Sequence, residues 1–132
     1  MSAVRFTTIT PNLIVRDVAR STAFYRDVLG FAVKDTVPAE PPFVFVWLER
    51  DGVPVFLNDL APVAADVPAM ANPVFGGTAT LFVIIEGVDA LHDAVAPLTP
   101  VVMPLHTKFY GMREFAVQDP DGHLITFAER VG

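Results

Sequence analysis

The groups in this chain that could do chemistry are three histidines, a late Arg-Glu pair and a dense set of aromatic rings; cysteine is absent. His106, in "PLHTKFYGMREF", sits where one extended run ends and the chain crosses to the next. It is placed to act as a hydrogen-bonding group or as a general base near neutral pH, although a loop histidine is more often simply solvated. His92, in "VDALHDAV", lies beside the stripe of Val88, Leu91 and Val95 and is flanked by Asp89 and Asp93, the pattern of a half-buried helix residue. His123 directly follows the turn in "QDPDGHLITF". Arg113 and Glu114 are strand neighbours and therefore point to opposite faces: one reaches a pocket, or they make cross-strand ion pairs worth about 0–1 kcal/mol. The sequence holds no Gly-rich phosphate loop, nucleophile elbow or paired His-Cys arrangement.

The elements that must position these groups occur twice. "TPNLIVRDVARSTAFYRDVLGFAV" reads as an extended run ending near Val15, then a helix that Asp17 caps and Gly30 stops, with Val18, Ser21, Tyr25, Val28 and Leu29 on one face. Three β-rich runs follow, Phe31–Val37, Phe43–Glu49 and Val53–Asn58, the last two joined by a tight "RDG" turn. From Thr78 the same order returns. An offset of 70 residues pairs Asp51-Gly52 with Asp121-Gly122, Val15 with Ile85, Val18 with Val88, Phe45 with Phe115 and Leu57 with Phe127. Two β-α-β-β-β units are therefore expected, about 7–59 and 78–129, joined by a linker or flap at about 60–77. His123 then matches Val53 and, three residues before Thr126, faces the other side of its strand.

With 132 residues, one domain spanning 1–132 is expected. No apolar run approaches the ~20 residues of a membrane-crossing helix. The start "MSAVRFTTIT" lacks the pattern of a secretory signal, so a cytoplasmic location is expected. The net charge of −6, with basic residues scattered, argues against nucleic acid as a partner and weakly favours a cationic small molecule.

The repeat, the opening "VRDVARSTAFYRDVLGF" and the closing "YGMREFAVQDPDGHLITF" resemble the vicinal-oxygen-chelate superfamily of glyoxalase I, extradiol dioxygenases and bleomycin resistance proteins, and most closely the last branch. The resemblance runs from about Thr8 to Glu129. It implies an α+β fold: two tandem βαβββ repeats forming a curved, half-barrel-like mixed sheet with helices on the outer face. Metal-dependent members carry His or Glu on the first and last strands of each repeat, positions that fall here on Thr10, Phe56, Thr80 and Thr126. Three threonines and a phenylalanine are a poor ligand set for a divalent metal, so neither metal nor other cofactor is expected. The resemblance also implies stacking of a flat ligand between aromatic rings, at Phe45 and Tyr110, in a groove made by two subunits. Trp47 shares a strand face with Phe45 and Phe43; Phe56 and Phe82 stand at or near the former metal positions; Phe75, Phe109 and Tyr110 lie where they could close the opening. About half of these aromatics are expected in the core.

The leading expectation is a metal-free homodimer that sequesters a planar, antibiotic-like or cationic small molecule, with Phe45, Trp47, Phe56, Phe82, Phe109, Tyr110, Arg113, Thr10, Thr80 and Thr126 as its binding residues. The alternative is an isomerase, lyase or hydrolase with His106 or Glu114 as base and the threonines holding oxygen atoms. A third is a domain with no small-molecule role.

Overall fold

The computed structural model describes residues 3–132, arranged as two copies of one unit. The first contains β1 (Asn12–Val15), α1 (Val18–Ala23) continued by a π-turn (Phe24–Val28), then β2 (Ala32–Val37), β3 (Phe45–Arg50) and β4 (Val53–Asp59). A connection carrying α2 (Leu60–Asp66) and a 3-10 turn (Pro68–Met70) leads to the second: β5 (Leu81–Ile84), α3 (Val88–Val95), β6 (Val101–Thr107), β7 (Met112–Gln118) and β8 (Leu124–Arg130). Each copy makes its own four-stranded mixed sheet, in the orders β1-β4-β3-β2 and β5-β8-β7-β6, with the outer pairs β1/β4 and β5/β8 parallel. The fold is α+β, built from two βαβββ repeats.

Local chemistry sets the helix ends. The Asp17 carboxylate accepts from the Arg20 amide and caps α1. At its far end Gly30 takes φ +73°, while Arg50 from the β3–β4 hairpin donates to the Leu29 carbonyl at 2.7 Å. The N-terminus of α3 is capped from a distance, by Glu129 accepting from the Gly87 and Val88 amides at 3.1 Å. Those two hydrogen bonds, Val88's first, hold the Glu129 carboxyl below its usual range.

One side of each sheet is packed against the helices. Val46, Leu48, Val55 and Leu57 from the first sheet and Phe115, Val117, Ile125 and Phe127 from the second join Val15, Tyr25, Leu29, Val88 and Val95 in one connected core. The offset of 70 holds for β1/β4 against β5/β8, where Asn12–Phe56 becomes Phe82–Thr126. It fails on the neighbouring strand. Asn58 pairs with Phe45, whereas Ala128 pairs with Glu114, so the counterpart of Phe45 is Glu114 and not the expected Phe115. The cause is Pro120: the first hairpin turns through Asp51-Gly52 alone, the second through Pro120-Asp121-Gly122, and one inserted residue swaps strand faces. Phe115 is consequently core, while Phe45 lies on the other face.

The two copies are joined by a buried polar clasp. Asp119 is fully buried, and its Oδ2 accepts from the Tyr25 hydroxyl of the π-turn and from His123 Nδ1, both at 2.8 Å. Beside it, Asp121 accepts from the Arg16 amide, the Arg16 guanidinium and the Ser21 hydroxyl. His123 thus faces away from the open side, as the repeat suggested, and its side chain is largely buried in the clasp. The connection between the repeats is pinned here too: Arg16 lies over the Phe75 ring at 4.4 Å, and a Cβ on Gly76 would come within 2.9 Å of the Asp121 and Gly122 backbone. Phe75 therefore sits at the clasp.

Burial raises the Tyr25 hydroxyl far above its usual range, and Asp119 raises it further. For Asp119 burial works in the opposite direction to the hydrogen bonds from His123 and Tyr25, which prevail and hold its carboxyl below the usual value. The Asp119 hydrogen bond raises His123 above its usual 6.5, against burial. The raised imidazole contributes stability that is complete below 6.5 and lost as pH climbs through its folded pKa. The depressed carboxylate contributes stability above its ordinary range and loses it on acidification. Urea unfolding from pH 5.5 to 9 should show stability falling across the histidine window, and His123→Asn should flatten that slope; a parallel pH dependence in the two proteins would contradict the assignment. Tyr25→Phe should lower stability by about 1.5–3 kcal/mol, because a buried carboxylate loses a donor.

Candidate functional site

Strand alternation decides what is left for a site. With Val46 and Leu48 directed into the core, Phe45 and Trp47 occupy the opposite face of β3, and Phe56 and Asn58 do the same on β4. The ladder runs Trp47–Phe56–Asn12 in one row and Phe45–Asn58–Ile14 in the next, with Phe56 and Asn58 in the middle. The Phe45 and Phe56 rings meet edge to face at 5.1 Å, and Trp47 meets Phe56 at 5.8 Å. All three rings are half-buried, with part of their surface reachable. Asn58 donates to the Asn12 side chain and to the Leu13 carbonyl, fixing a polar border along β1. The Trp47 Nε1 is buried and has no hydrogen-bond partner among the described residues.

The same face of the second sheet is chemically different. Its rows are His106–Glu114–Ala128–Ile84 and Met103–Ala116–Thr126–Phe82. The Glu114 carboxylate is buried and accepts from the Tyr110 hydroxyl at 2.7 Å. Directly across the ladder stands His106, whose Nδ1 donates to the Pro104 carbonyl, leaving Nε2 as the basic nitrogen. The hydrogen bond to Glu114, ahead of burial, raises the Tyr110 hydroxyl above its usual 10.0.

The expected site residues thus form two groups. Phe45, Trp47 and Phe56 assemble on the first sheet. His106, Glu114, Tyr110, Thr126 and Phe82 share the corresponding face of the second, with Thr126 buried and Phe82 exposed. Phe109 is fully exposed and stacks edge to face with Tyr110 at 5.1 Å. Thr10 and Thr80 precede β1 and β5 without belonging to either strand. Arg113 is on the other side, where its guanidinium pairs with Asp89 of α3 at 3.0 Å and donates to Thr107. Placing it in a pocket is corrected accordingly. His92 is half-buried against Phe115 and bonded to Asp93, as its setting suggested. Of the aromatics weighed for the site, only Phe43 packs against the core, fewer than the half expected. Asn12 and Asn58 were not anticipated; the parallel β1/β4 pairing that brings them together leaves no local signature in the sequence.

The family model described as Glyoxalase/Bleomycin resistance protein/Dioxygenase superfamily matches residues 5–127. The chain belongs to this superfamily. It is 32% identical to a bleomycin resistance protein of Geobacillus stearothermophilus over 92% of this chain and 95% of that one, with the same figures for its Staphylococcus aureus counterpart. Among solved structures, a protein of unknown function from Agrobacterium tumefaciens superposes with a TM-score of 0.74 at 26% identity, covering 99% of this chain and 98% of that one. A lactoylglutathione lyase from the same organism gives 0.71 at 21% identity over 96% and 95%, which speaks to fold alone. The positions that the resemblance assigns to the metal, Thr10, Phe56, Thr80 and Thr126, offer three hydroxyls and a phenyl ring, a poor ligand set for a divalent metal. Among the described residues, moreover, no three His, Cys, Asp or Glu converge.

Because burial and Asp119 move Tyr25 out of reach, an absorbance titration of this two-tyrosine protein reads Tyr110 alone. Its midpoint should lie above 10.0 and fall towards that value in Glu114→Gln. An unchanged titration would separate Tyr110 from Glu114.

Proposed function

We propose that this protein binds and sequesters a planar small molecule without a metal. The observation that carries the reading is the open face on which Phe45, Trp47 and Phe56 stand edge to face with their rings half-buried. A flat guest stacked on such rings gains about 0.5–1.5 kcal/mol per aromatic pair beyond its buried area. The identity to bleomycin resistance proteins supports the same reading. We further propose that two copies act together, bringing the aromatic face of one sheet opposite the Glu114 face of another. Exposed apolar side chains at Phe6, Ile9, Phe82 and Ile84 support this, since burial of such side chains against a partner is favourable.

A second reading, an enzyme using His106 or Glu114 as base, is favoured by one observation, the pairing of these two residues across β6 and β7 with Tyr110 hydrogen-bonded to the carboxylate. If a substrate is found, His106→Ala should abolish turnover; full activity in that variant would end this reading.

The binding reading is tested by titrating bleomycin against the protein in EDTA while following fluorescence of Trp47, the sole tryptophan. Saturable quenching is expected, with Phe56→Ala weakening binding about ten-fold through lost stacking and contact area. No saturable response to bleomycin or to a panel of planar compounds, or a response abolished by EDTA, would count against it. Sedimentation should show a dimer, and Phe82→Glu with Ile84→Glu should shift it towards monomer.

A further inference from the structure

We propose that residues 3–9, the arm ahead of β1, close over a cavity at the second junction between the two units of their own chain, with Phe6 entering the cavity and Arg5 pairing with Glu86. In this structure the arm stands open: residues 3–9 are all exposed, Phe6 at 92%. The cavity has a volume of about 960 Å³ and takes its walls from both units, with Val28 and Phe31 on one side and Leu91 and Leu98 on the other. Its lining also carries the carboxylates of Asp27, Asp51 and Glu86 and one cation, Arg50. Asp27 pairs with Arg26 and Asp51 with Arg50, which also donates to the Leu29 carbonyl. No ion pair among the described residues involves Glu86.

The internal repeat identifies the occupant. At the first junction the segment ahead of β5 fills the space: Phe75 lies under the Arg16 guanidinium at 4.4 Å, and Gly76 is pressed against the Asp121-Gly122 turn. At the offset of 70, Phe75 becomes Arg5, Gly76 becomes Phe6 and Arg16 becomes Glu86. A cation over a ring is thereby exchanged for two opposite charges, which attract. The clasp donors Ser21, Tyr25 and His123 become Leu91, Val95 and Val53, so the clasp has no counterpart at the second junction and its walls suit an apolar filling. The turn there, Asp51-Gly52, is one residue shorter because Pro120 has no equivalent, and the Phe6 ring takes the room this leaves. Arg5 stands as far ahead of Asn12 in β1 as Phe75 stands ahead of Phe82 in β5, so the arm has the reach. Phe6 would then leave the outer surface, whereas Phe82 is no part of the cavity and stays available to a second copy.

Arg5 is itself a trypsin site, so the state of the arm can be read by cleavage. Release of the first five residues should be about three-fold faster in Glu86→Gln than in the wild type, the loss of one partly exposed ion pair. An unchanged rate would overturn the pairing of Arg5 with Glu86. The seating itself is tested by a disulfide, since the protein has no cysteine of its own. In Arg5→Cys with Glu86→Cys, mild oxidation should consume both thiols while the chain still runs as a monomer on a non-reducing denaturing gel. Thiols that stay free would overturn the seating, and so would a disulfide that links two chains, which would place the arm in the cavity of a second copy. Both positions are exposed, so neither substitution disturbs the core.

Discussion

Burying Val46, Leu48, Val55 and Leu57 against the helices leaves Phe45, Trp47, Phe56 and Asn58 only the opposite direction, because consecutive strand residues alternate. Everything proposed about function follows from this division. The core side of each sheet is filled by helices and takes Arg113 with it, bound to Asp89. The other side keeps three rings on one sheet and a buried carboxylate with its tyrosine and histidine on the other. A one-residue change in register would exchange these sets. Pro120 makes that change in one strand of the second copy, so Glu114 stands where the first copy has Phe45. The two faces consequently differ in chemistry although their elements repeat.

The division also depends on how the copies are held. Tyr25 from the first unit and His123 from the second converge on one oxygen of Asp119, while Arg16 and Ser21 reach Asp121 from across the same junction. A buried carboxylate is tolerable only when its lone pairs are satisfied, and here donors from both units satisfy them. The histidine after the closing turn is therefore part of the joint. It makes no contribution to the open face.

Much of the fold was legible in the sequence because it rests on short-range signals. Asp17 and Gly30 bracket the first helix, Asp51-Gly52 makes a tight turn, and the strands recur at an offset of 70. The rings Phe45 and Trp47 could be placed on one face by spacing alone. What could not be read was set by pairing between distant segments. The face that Glu114 occupies depends on a register set at the turn, and the choice between Arg113 and Glu114 depends on Asp89, 24 residues away. The Asn12–Asn58 border comes from a parallel pairing of strands 46 residues apart, and Phe75 was drawn to Arg16 by a cation–π contact that no periodicity announces.

The superfamily's fold is compatible with metal-dependent catalysis and with binding alone, so only the residues on the open face can decide between them. Hydroxyls and a phenyl ring at the positions the resemblance assigns to the metal are a poor set of metal ligands, and the neighbouring rings of Phe45, Trp47 and Phe56 support the proposed stacking. The most direct measurement is an intermolecular nuclear Overhauser experiment on the complex with bleomycin in EDTA. The account predicts contacts from the drug's aromatic protons to the rings of Phe45, Trp47 and Phe56. Contacts confined to residues outside this face, or a complex that forms only when a divalent metal is restored, would contradict it.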